Sequence, residues 1–184
     1  MPEPIAPLAC QQHNHQHCID DALALAKSLC RQRNVQLTPL REQVLRLIWT
    51  SHKPLGAYTL MGMLADWQLR LVAPPTVYRA LGFLRDQHFI HKIHSLNAFI
   101  GCPDPDSHHQ SHFLICQQCG VAVECGAAAL NQALSETAKA AGFEAQRQNV
   151  EILGCCPQCL ANRRLADRES SLTHENPGSG SVAT

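Results

Sequence analysis

Two short cysteine pairs carry the clearest chemistry in this sequence. Cys116 and Cys119 enclose two residues, Cys156 and Cys159 enclose two more, and 36 residues separate the pairs. A C-x-x-C turn directs both sulfurs toward one point, and two such turns form the tetrahedral thiolate shell that Zn²⁺ favours. Because that shell has no open position, the spacing predicts a structural zinc. Two redox or disulfide pairs are the alternative, and Cys155 could also pair with Cys159, although only Cys156 leaves a two-residue spacer.

A second group of potential metal ligands lies around the middle of the chain. It comprises His91, Cys102, His108, His109, His112 and Glu124. A thiolate with imidazoles and a carboxylate suits tetrahedral Zn²⁺, whereas iron and manganese sites rely on nitrogen and oxygen donors. Because Cys and His must lose protons to bind, occupancy should fall with acidity. A site drawn from both halves of the chain would favour the one arrangement in which its ligands meet, which is a switch without chemistry on a substrate.

Composition also favours metal binding, since 184 residues include ten cysteines and eleven histidines. Five of these ligand types fall within Cys10–Cys18, a tract without apolar periodicity whose metal binding would be adventitious or buffering. The N-terminus lacks a charged signal region and no apolar run reaches membrane length, so we expect a reducing cytoplasm and no membrane partner.

Charge is unevenly distributed although the formal net charge is zero. Residues 24–92 hold ten Lys and Arg against three acids, whereas residues 103–162 hold six acids against two bases. A basic half joined to an acidic half indicates that one part meets phosphate, and a solvated surface without a partner is the alternative.

Four helices and a hairpin are predicted in the basic half. The helices lie at 20–33, 39–51, 58–68 and 74–87, with a loop at 52–56 and hairpin strands at 89–94 and 99–102. Thr38-Pro39 and Pro74-Pro75 are helix-start signals, because a hydroxyl N-cap and an early proline favour the first turn. Helices followed by a hairpin predict a winged helix-turn-helix, in which the last helix before the wing enters the DNA major groove.

The fourth helix supplies the main candidates for contacts with DNA. Val77, Leu81 and Leu84 recur with helical spacing and should face inward, which pushes Tyr78 and Arg79 outward. Arg reads guanine edges or binds phosphate, and Tyr contacts a thymine methyl or a phosphate. The alternative is that Tyr78 packs on a neighbouring helix and Arg79 is merely solvated. Thr38 and Arg41 are weaker candidates for phosphate contacts.

The acidic half is predicted to be a small mixed α/β unit. Its elements are strands at 112–116 and 121–125, a helix at 127–141 stopped by Gly142, and one or two strands within 143–153. A unit this small, with apolar edge strands, is expected to pair with a second copy. The predicted class is therefore α+β, with a flexible leader (1–18), a winged-helix domain (19–102), a hinge (103–111), a zinc-stapled dimerisation and metal-binding domain (112–164) and a disordered tail (165–184).

These motifs together resemble the ferric uptake regulator superfamily over residues 20–162. The resemblance rests on Thr38-Pro-Leu-Arg41, Pro74-Pro-Thr-Val-Tyr-Arg-Ala-Leu81, the His-rich hinge and the paired C-x-x-C motifs. The run Cys30–Pro39 and the ligand set with Cys102 are most similar to the zinc uptake regulator branch. That likeness implies a homodimeric repressor that binds operator DNA when loaded with zinc and shuts off zinc-import genes.

The resemblance also implies two zinc ions per protomer. One would be structural, on Cys116, Cys119, Cys156 and Cys159, and one regulatory, on His91, Cys102, His109 and Glu124. The hinge spacing allows His108 or His112 to replace His109, and the His-rich leader is not part of the family pattern. An iron- or peroxide-responsive regulator is the alternative, although the iron-sensing branch carries an Asp among its hinge histidines and this region reads His108-His-Gln-Ser-His112. Enzymes with a zinc-activated water need HExxH or H-x-E motifs, which are absent, so no small-molecule substrate is expected.

Overall fold

The computed structural model describes residues 15–51, 53–68, 72–106, 111–126, 128–146 and 148–173. The first half contains α1 (His15–Gln32), α2 (Pro39–Trp49), β1 (Leu55–Gly56), α3 (Ala57–Gln68), α4 (Pro74–Asp86), β2 (Ile90–Ile93) and β3 (Ala98–Gly101). The second half contains β4 (His112–Cys116), β5 (Ala122–Cys125), α5 (Ala128–Ala140), β6 (Val150–Gly154) and α6 (Pro157–Thr173). The predicted α+β class is confirmed, and no helix within the described residues is long and apolar enough to cross a membrane.

Proline and apolar spacing determine where the helices of the first half begin and what they bury. Both α2 and α4 start at the predicted prolines, and Thr38 occupies the N-cap of α2, although its hydroxyl makes no capping hydrogen bond. The predicted inward positions of α4 (Val77, Leu81 and Leu84) are fully buried in a core that α1, α2 and α3 complete. The side chain of Tyr78 faces outward as predicted, because 47% of its surface is exposed.

The wing is a three-stranded sheet rather than a simple hairpin. Its order is β1-β3-β2, with β2 and β3 antiparallel and Ile93 opposite Ala98. The predicted loop at 52–56 was therefore wrong in part, because Leu55 and Gly56 pair with β3. Two residues are too few to show a strand periodicity, which is why the sequence pattern did not indicate β1.

The second half folds around a sheet of order β5-β4-β6, in which β5 is antiparallel to β4 and β6 is parallel to it. Helix α5 ends as predicted at Gly142, whose φ of +72° favours glycine. The amides of Gly142 and Phe143 bond the carbonyls of Lys139 and Ala138, which satisfies the end of the helix in a Schellman motif.

The two halves pack against each other through the wing. Ile93 of β2 lies in a buried apolar cluster with Phe113, Ile115 and Ala122 of the second sheet. On the other side, the Arg33 guanidinium donates to the carbonyl oxygens of Gln87 (2.7 Å) and Pro105 (2.9 Å). The apolar cluster packs the wing against the second sheet, while Arg33 holds the segment that follows the wing to the first half.

Helices extend into the predicted flexible leader (1–18) and into the predicted disordered tail (165–184). Helix α1 begins at His15, inside the predicted leader, and α6 continues to Thr173, inside the predicted tail. Good helix formers such as Leu165 and Ala166 extend α6 even without an apolar stripe. Residues 1–14 and 174–184 lie outside the described residues.

Candidate metal centres and nucleic-acid interface

The two C-x-x-C motifs converge at one end of the second sheet. Cys116 ends β4 and lies opposite Gly154 of the parallel strand β6, so the turn after β4 and the start of α6 emerge side by side. The sulfurs of Cys116, Cys119, Cys156 and Cys159 all lie within 4.8 Å of one another. A parallel pairing of strands thus brings together cysteines that are far apart in sequence.

The spacing of these sulfurs fits a tetrahedral zinc. The Cys119 and Cys156 sulfurs are 3.8 Å apart, and a Zn–S bond of about 2.3 Å places the corners of a tetrahedron about 3.8 Å apart. Gly120, at a φ of +74°, returns the chain so that its amide bonds the Cys116 carbonyl oxygen at 2.9 Å. The turn that aims the first pair therefore depends on a left-handed residue that favours glycine.

Backbone amides prepare this group for a cation. The amide of Cys156 donates to the Cys116 sulfur at 3.3 Å. Hydrogen bonds from the backbone of Cys119 and of Cys156 lower the pKa of Cys116 to about 6, so this sulfur is a thiolate at neutral pH. The pKa of Cys159 is raised instead, first by its hydrogen bond to the Cys156 sulfur and then by burial. The group therefore combines a thiolate at Cys116 with a protonated thiol at Cys159, and binding of a divalent metal would release that proton.

The structure distinguishes Cys156 from its neighbour Cys155. The Cys155 thiol donates to Oε1 of Gln118 at 3.2 Å, whereas Cys156 lies within the group of four sulfurs. The pairing that the sequence left open therefore favours Cys156 with Cys159.

A second group of ligand types meets at the junction between the wing and the second sheet. His91 lies on β2, Cys102 directly follows β3 and Glu124 lies on β5, and their ligand atoms are all within 4.8 Å of one another. Nε2 of His91 is 3.5 Å from Oε1 of Glu124. Nitrogen and oxygen ligands of tetrahedral Zn²⁺ stand about 3.4 Å apart, so this spacing also fits.

Cys102 is the most buried member of this second group, with 3% of its surface exposed. Burial first, and the charge of Glu124 second, raise the pKa of its thiol to about 12. Without a cation the thiol keeps its proton, and a bound metal is what would make it a thiolate ligand. A sulfur, an imidazole and a carboxylate on three strands form a donor set suited to Zn²⁺.

The fourth predicted ligand, His109, lies outside the described residues, as does His108. The other substitute, His112, is fully buried, and its Nε2 is 2.5 Å from Oδ1 of Asn131 on α5. One of its two ring nitrogens is therefore engaged with α5. Ser111 is a neighbour that the sequence did not indicate, since its hydroxyl lies 3.4 Å from Nε2 of His91.

The candidate DNA contacts lie on α4 and at the start of α2. Tyr78 and Arg79 are exposed in its second turn. The Arg41 guanidinium lies 3.6 Å above the centre of the Phe83 ring and donates to the carbonyl oxygen of Gln36. This stacking, which the sequence did not indicate, holds an arginine of α2 against α4, while Thr38 remains partly exposed at the start of α2.

Comparisons with known proteins match both halves of the chain. The ferric uptake regulator family model matches residues 32–153. The zinc uptake regulation protein of Escherichia coli K12 is 38% identical over 141 residues, covering 76% of this chain and 82% of the relative. A zinc uptake regulator solved in complex with zinc and DNA superposes with a TM-score of 0.75 at 35% identity, covering 83% of this chain and 99% of that one. The structure of holo XcZur superposes with a TM-score of 0.69 at 42% identity, covering 77% and 99%.

Proposed function

This chain belongs to the ferric uptake regulator family, whose members are transcription regulators and not enzymes, and from that premise we propose its function. It is a zinc-responsive repressor that binds operator DNA as a zinc-loaded homodimer in the cytoplasm and represses zinc-uptake genes. The observation that carries the proposal is the meeting of His91, Cys102 and Glu124 at the junction between the wing and the second sheet. The relatives named for zinc and DNA support the same metal and the same partner.

The group formed by His91, Cys102 and Glu124, called the mixed group, is proposed as the regulatory site. Zinc bound there would supply a positive charge and four coordination positions, and His109 would be the fourth ligand. His91 and Cys102 belong to the wing, whereas Glu124 belongs to the second sheet. A zinc ion that binds all three residues favours the one relative position of the halves in which these residues meet. Zinc occupancy therefore shifts the population of molecules toward that position.

The four cysteines of the C-x-x-C motifs, called the sulfur-only group, are proposed as a structural zinc site. They are Cys116, Cys119, Cys156 and Cys159. The four ligands come from one half of the chain and close the shell, which leaves no position for a substrate. Tying β4 to the start of α6 would stabilise a unit whose sheet has three strands within the described part of the chain. The proposal is therefore two zinc ions per protomer, one that holds the fold and one that reports zinc supply.

The DNA-contacting residues are proposed to be Tyr78, Arg79, Thr38 and Arg41. Tyr78 and Arg79 lie near the N-terminal end of the last helix before the wing, the end that enters the major groove in winged helices. Arg41 is held on Phe83, and its remaining N–H groups are suited to a phosphate oxygen.

The homodimer is proposed to form along β6. Within the described residues, β6 has a neighbouring strand on one side only. Ile152 and Leu153 keep about half of their surfaces exposed, and Phe143 is exposed just before the strand. An apolar edge strand of this kind is covered by pairing with another chain, and a second copy supplies a self-complementary partner.

Operator binding at graded free zinc tests this function directly. We expect dimer affinity for DNA from a zinc-import promoter to rise as the mixed site fills, without a comparable response to Fe²⁺ or peroxide. Equal affinity for the zinc-free and zinc-loaded forms would contradict a sensor even if the fold is correct.

The DNA contact is tested by Arg79→Ala, with Arg85→Ala as the matched control on the same helix. A bidentate base contact is worth about 1–3 kcal/mol, so Arg79→Ala should weaken specific binding about tenfold or more. Arg85 lies in the last turn of α4, at the end away from the proposed groove contacts, and should matter less. Unchanged affinity in the Arg79 variant would remove this residue from the interface.

A further inference from the structure

The turn of the wing is bound by a carboxylate of the second half. Oε1 of Glu151, on β6, accepts a hydrogen bond from the amide of His94 at 2.6 Å, and Oε2 accepts one from the amide of Ser95 at 2.9 Å. The side-chain amide of Asn149 donates to Oε1 at 3.2 Å. One ionised side chain thus accepts two successive backbone amides of the wing turn, and hydrogen bonds to an ionised acceptor are the stronger kind.

The electrostatics agree with this geometry. Partial burial acts to raise the pKa of Glu151, but the hydrogen bonds from Ser95, His94 and Asn149 outweigh it and hold the pKa at about 2. The carboxylate is therefore charged at any pH near neutrality, and it needs no metal to bind the turn.

The wing is consequently joined to the second half at both of its ends. At the open end, the ligand atoms of His91, Cys102 and Glu124 lie within 4.8 Å of one another, and the proposed regulatory zinc would hold the wing to β5 there. At the turn, Glu151 makes the attachment by itself. Between the two, Ile93 packs against the second sheet.

We propose that Glu151 is a positioning residue for metal-gated DNA binding, because it anchors the wing turn to the second sheet independently of metal. This role rests on the proposed function. Because Glu151 already holds the turn, a cation that binds at the open end needs to order only that end of the hairpin. The anchor also couples β6, the proposed dimer edge, to the wing, so that pairing of two chains and placement of two wings depend on one strand.

The anchor should therefore raise the affinity of the mixed site for zinc. If it is lost, the cation must also order the turn, which lowers the zinc affinity and the zinc-dependent gain in DNA affinity. Coupling between two sites typically amounts to roughly 5–150-fold, and we expect a loss of about tenfold in each. The sulfur-only site should keep its zinc, because all four of its ligands belong to the second half.

Two variants remove the anchor from opposite sides. Glu151→Gln keeps the shape of the side chain but removes its charge and one acceptor oxygen. Ser95→Pro removes both donors that Ser95 offers to Glu151, its amide and its hydroxyl. It places proline at the second position of the turn closed by the Asn97 amide and the His94 carbonyl, a position that β-turns accept. Glu144→Gln is the control, since it makes the same charge change at an exposed position outside β6.

The measurements are amide hydrogen exchange at the wing turn, zinc affinity of the mixed site by chelator competition, and operator binding, all on the full-length dimer retaining its structural zinc. Glu151→Gln should speed exchange of the His94 and Ser95 amides even without zinc in the mixed site. Both variants should weaken zinc binding there about tenfold, with dimerisation and structural zinc content unchanged.

The results separate the anchor from the proposed function. If the wild type responds to zinc but Glu151→Gln matches Glu144→Gln in exchange and in zinc affinity, the anchor is wrong and the function stands. An effect of Glu151→Gln without any effect of Ser95→Pro would also overturn the anchor, because the carboxylate would then act elsewhere. Wild-type DNA binding that ignores zinc would overturn the proposed function and this role together.

Discussion

The two cysteine-containing ligand groups differ in where their ligands come from. The sulfur-only group draws all four ligands from turns and a helix start within one half, whereas the mixed group draws its ligands from the wing and from the second sheet. The first group can close as soon as its own half folds. The second can form only when the two halves adopt one relative position, so it alone can report a change between states.

The thiols of the two groups also differ in pKa. Backbone amides lower the pKa of Cys116 to about 6, while burial raises the pKa of Cys102 to about 12. The sulfur-only group therefore contains a thiolate before metal arrives, and the mixed group must surrender a proton to bind. A permanent site and a conditional site can thus be distinguished by the surroundings of one sulfur in each.

Loss of a ligand from the sulfur-only group should have the largest effect. Structural zinc contributes about 10–16 kcal/mol in small zinc domains, so Cys116→Ser should unfold the second half and abolish the dimer. Circular dichroism, zinc content and sedimentation would show this. Cys155→Ser is the control and should keep the zinc, and a soluble, normally dimeric Cys116 variant would contradict the structural assignment.

Loss of the buried Cys102 thiol from the mixed group should leave the fold intact but remove the response of DNA binding to zinc. Cys102→Ser should lower zinc-dependent operator affinity by about a hundredfold, the upper end of the 10–100-fold loss typical of changes to the partners of metal ligands, while the dimer remains folded. Binding titrations at fixed free zinc would measure it. A Cys102 variant that loses its structural zinc as well would mean that the two groups are not independent.

The zinc affinity of the mixed group should depend steeply on pH. Because the zinc-free pKa of Cys102 is raised to about 12, its thiol is protonated at neutral pH and each zinc bound there releases that proton. Zinc affinity should therefore rise about tenfold for each unit of pH increase near neutrality, and fall equally on acidification. Chelator competition at several pH values tests the slope, and a flat profile would indicate that Cys102 does not ligate.

The smallest predicted effect concerns the packing that positions Cys102. A methyl group added at Gly101 would lie 2.6 Å from Nε1 of Trp49, so Gly101→Ala must displace a large ring beside the mixed group. We expect a loss of about 1–3 kcal/mol in unfolding free energy and weaker zinc binding at the mixed group only. Chemical denaturation would measure the first.

Gly62→Ala provides the matched control, because no atom lies within 4 Å of the added methyl group in the middle of α3. It should stabilise the chain by about 0.5–1 kcal/mol, since alanine is the better helix former. Equal effects of the two substitutions would show that Trp49 does not restrict the strand.

The features that could be predicted from the sequence are those that depend on residues close to one another along the chain. Prolines at 39 and 74 determined helix starts, apolar periodicity identified Val77 and its partners, and the C-x-x-C spacing predicted four sulfurs that the structure brings together. Gly142 likewise ended α5 where a left-handed residue was expected.

What could not be predicted depends on pairing between distant segments. The anchoring of the wing turn by Glu151 follows from the register of β6, which no local pattern specifies. The stacking of Arg41 on Phe83 follows from how α2 crosses α4. The choice of Cys156 over Cys155 needed the orientation of one side chain toward Gln118.

The order of the elements along the chain has a consequence for synthesis. Domains fold from the N-terminus as the polypeptide emerges, and α4 and the wing are complete by Gly101, whereas Glu124 and Cys159 follow later. Translation therefore finishes the proposed DNA-contacting half before the half that would regulate it. A chain released by the ribosome before Glu124 would carry that half without a complete metal centre and without β6, the proposed dimer edge, so it could not form the zinc-loaded dimer proposed to bind the operator.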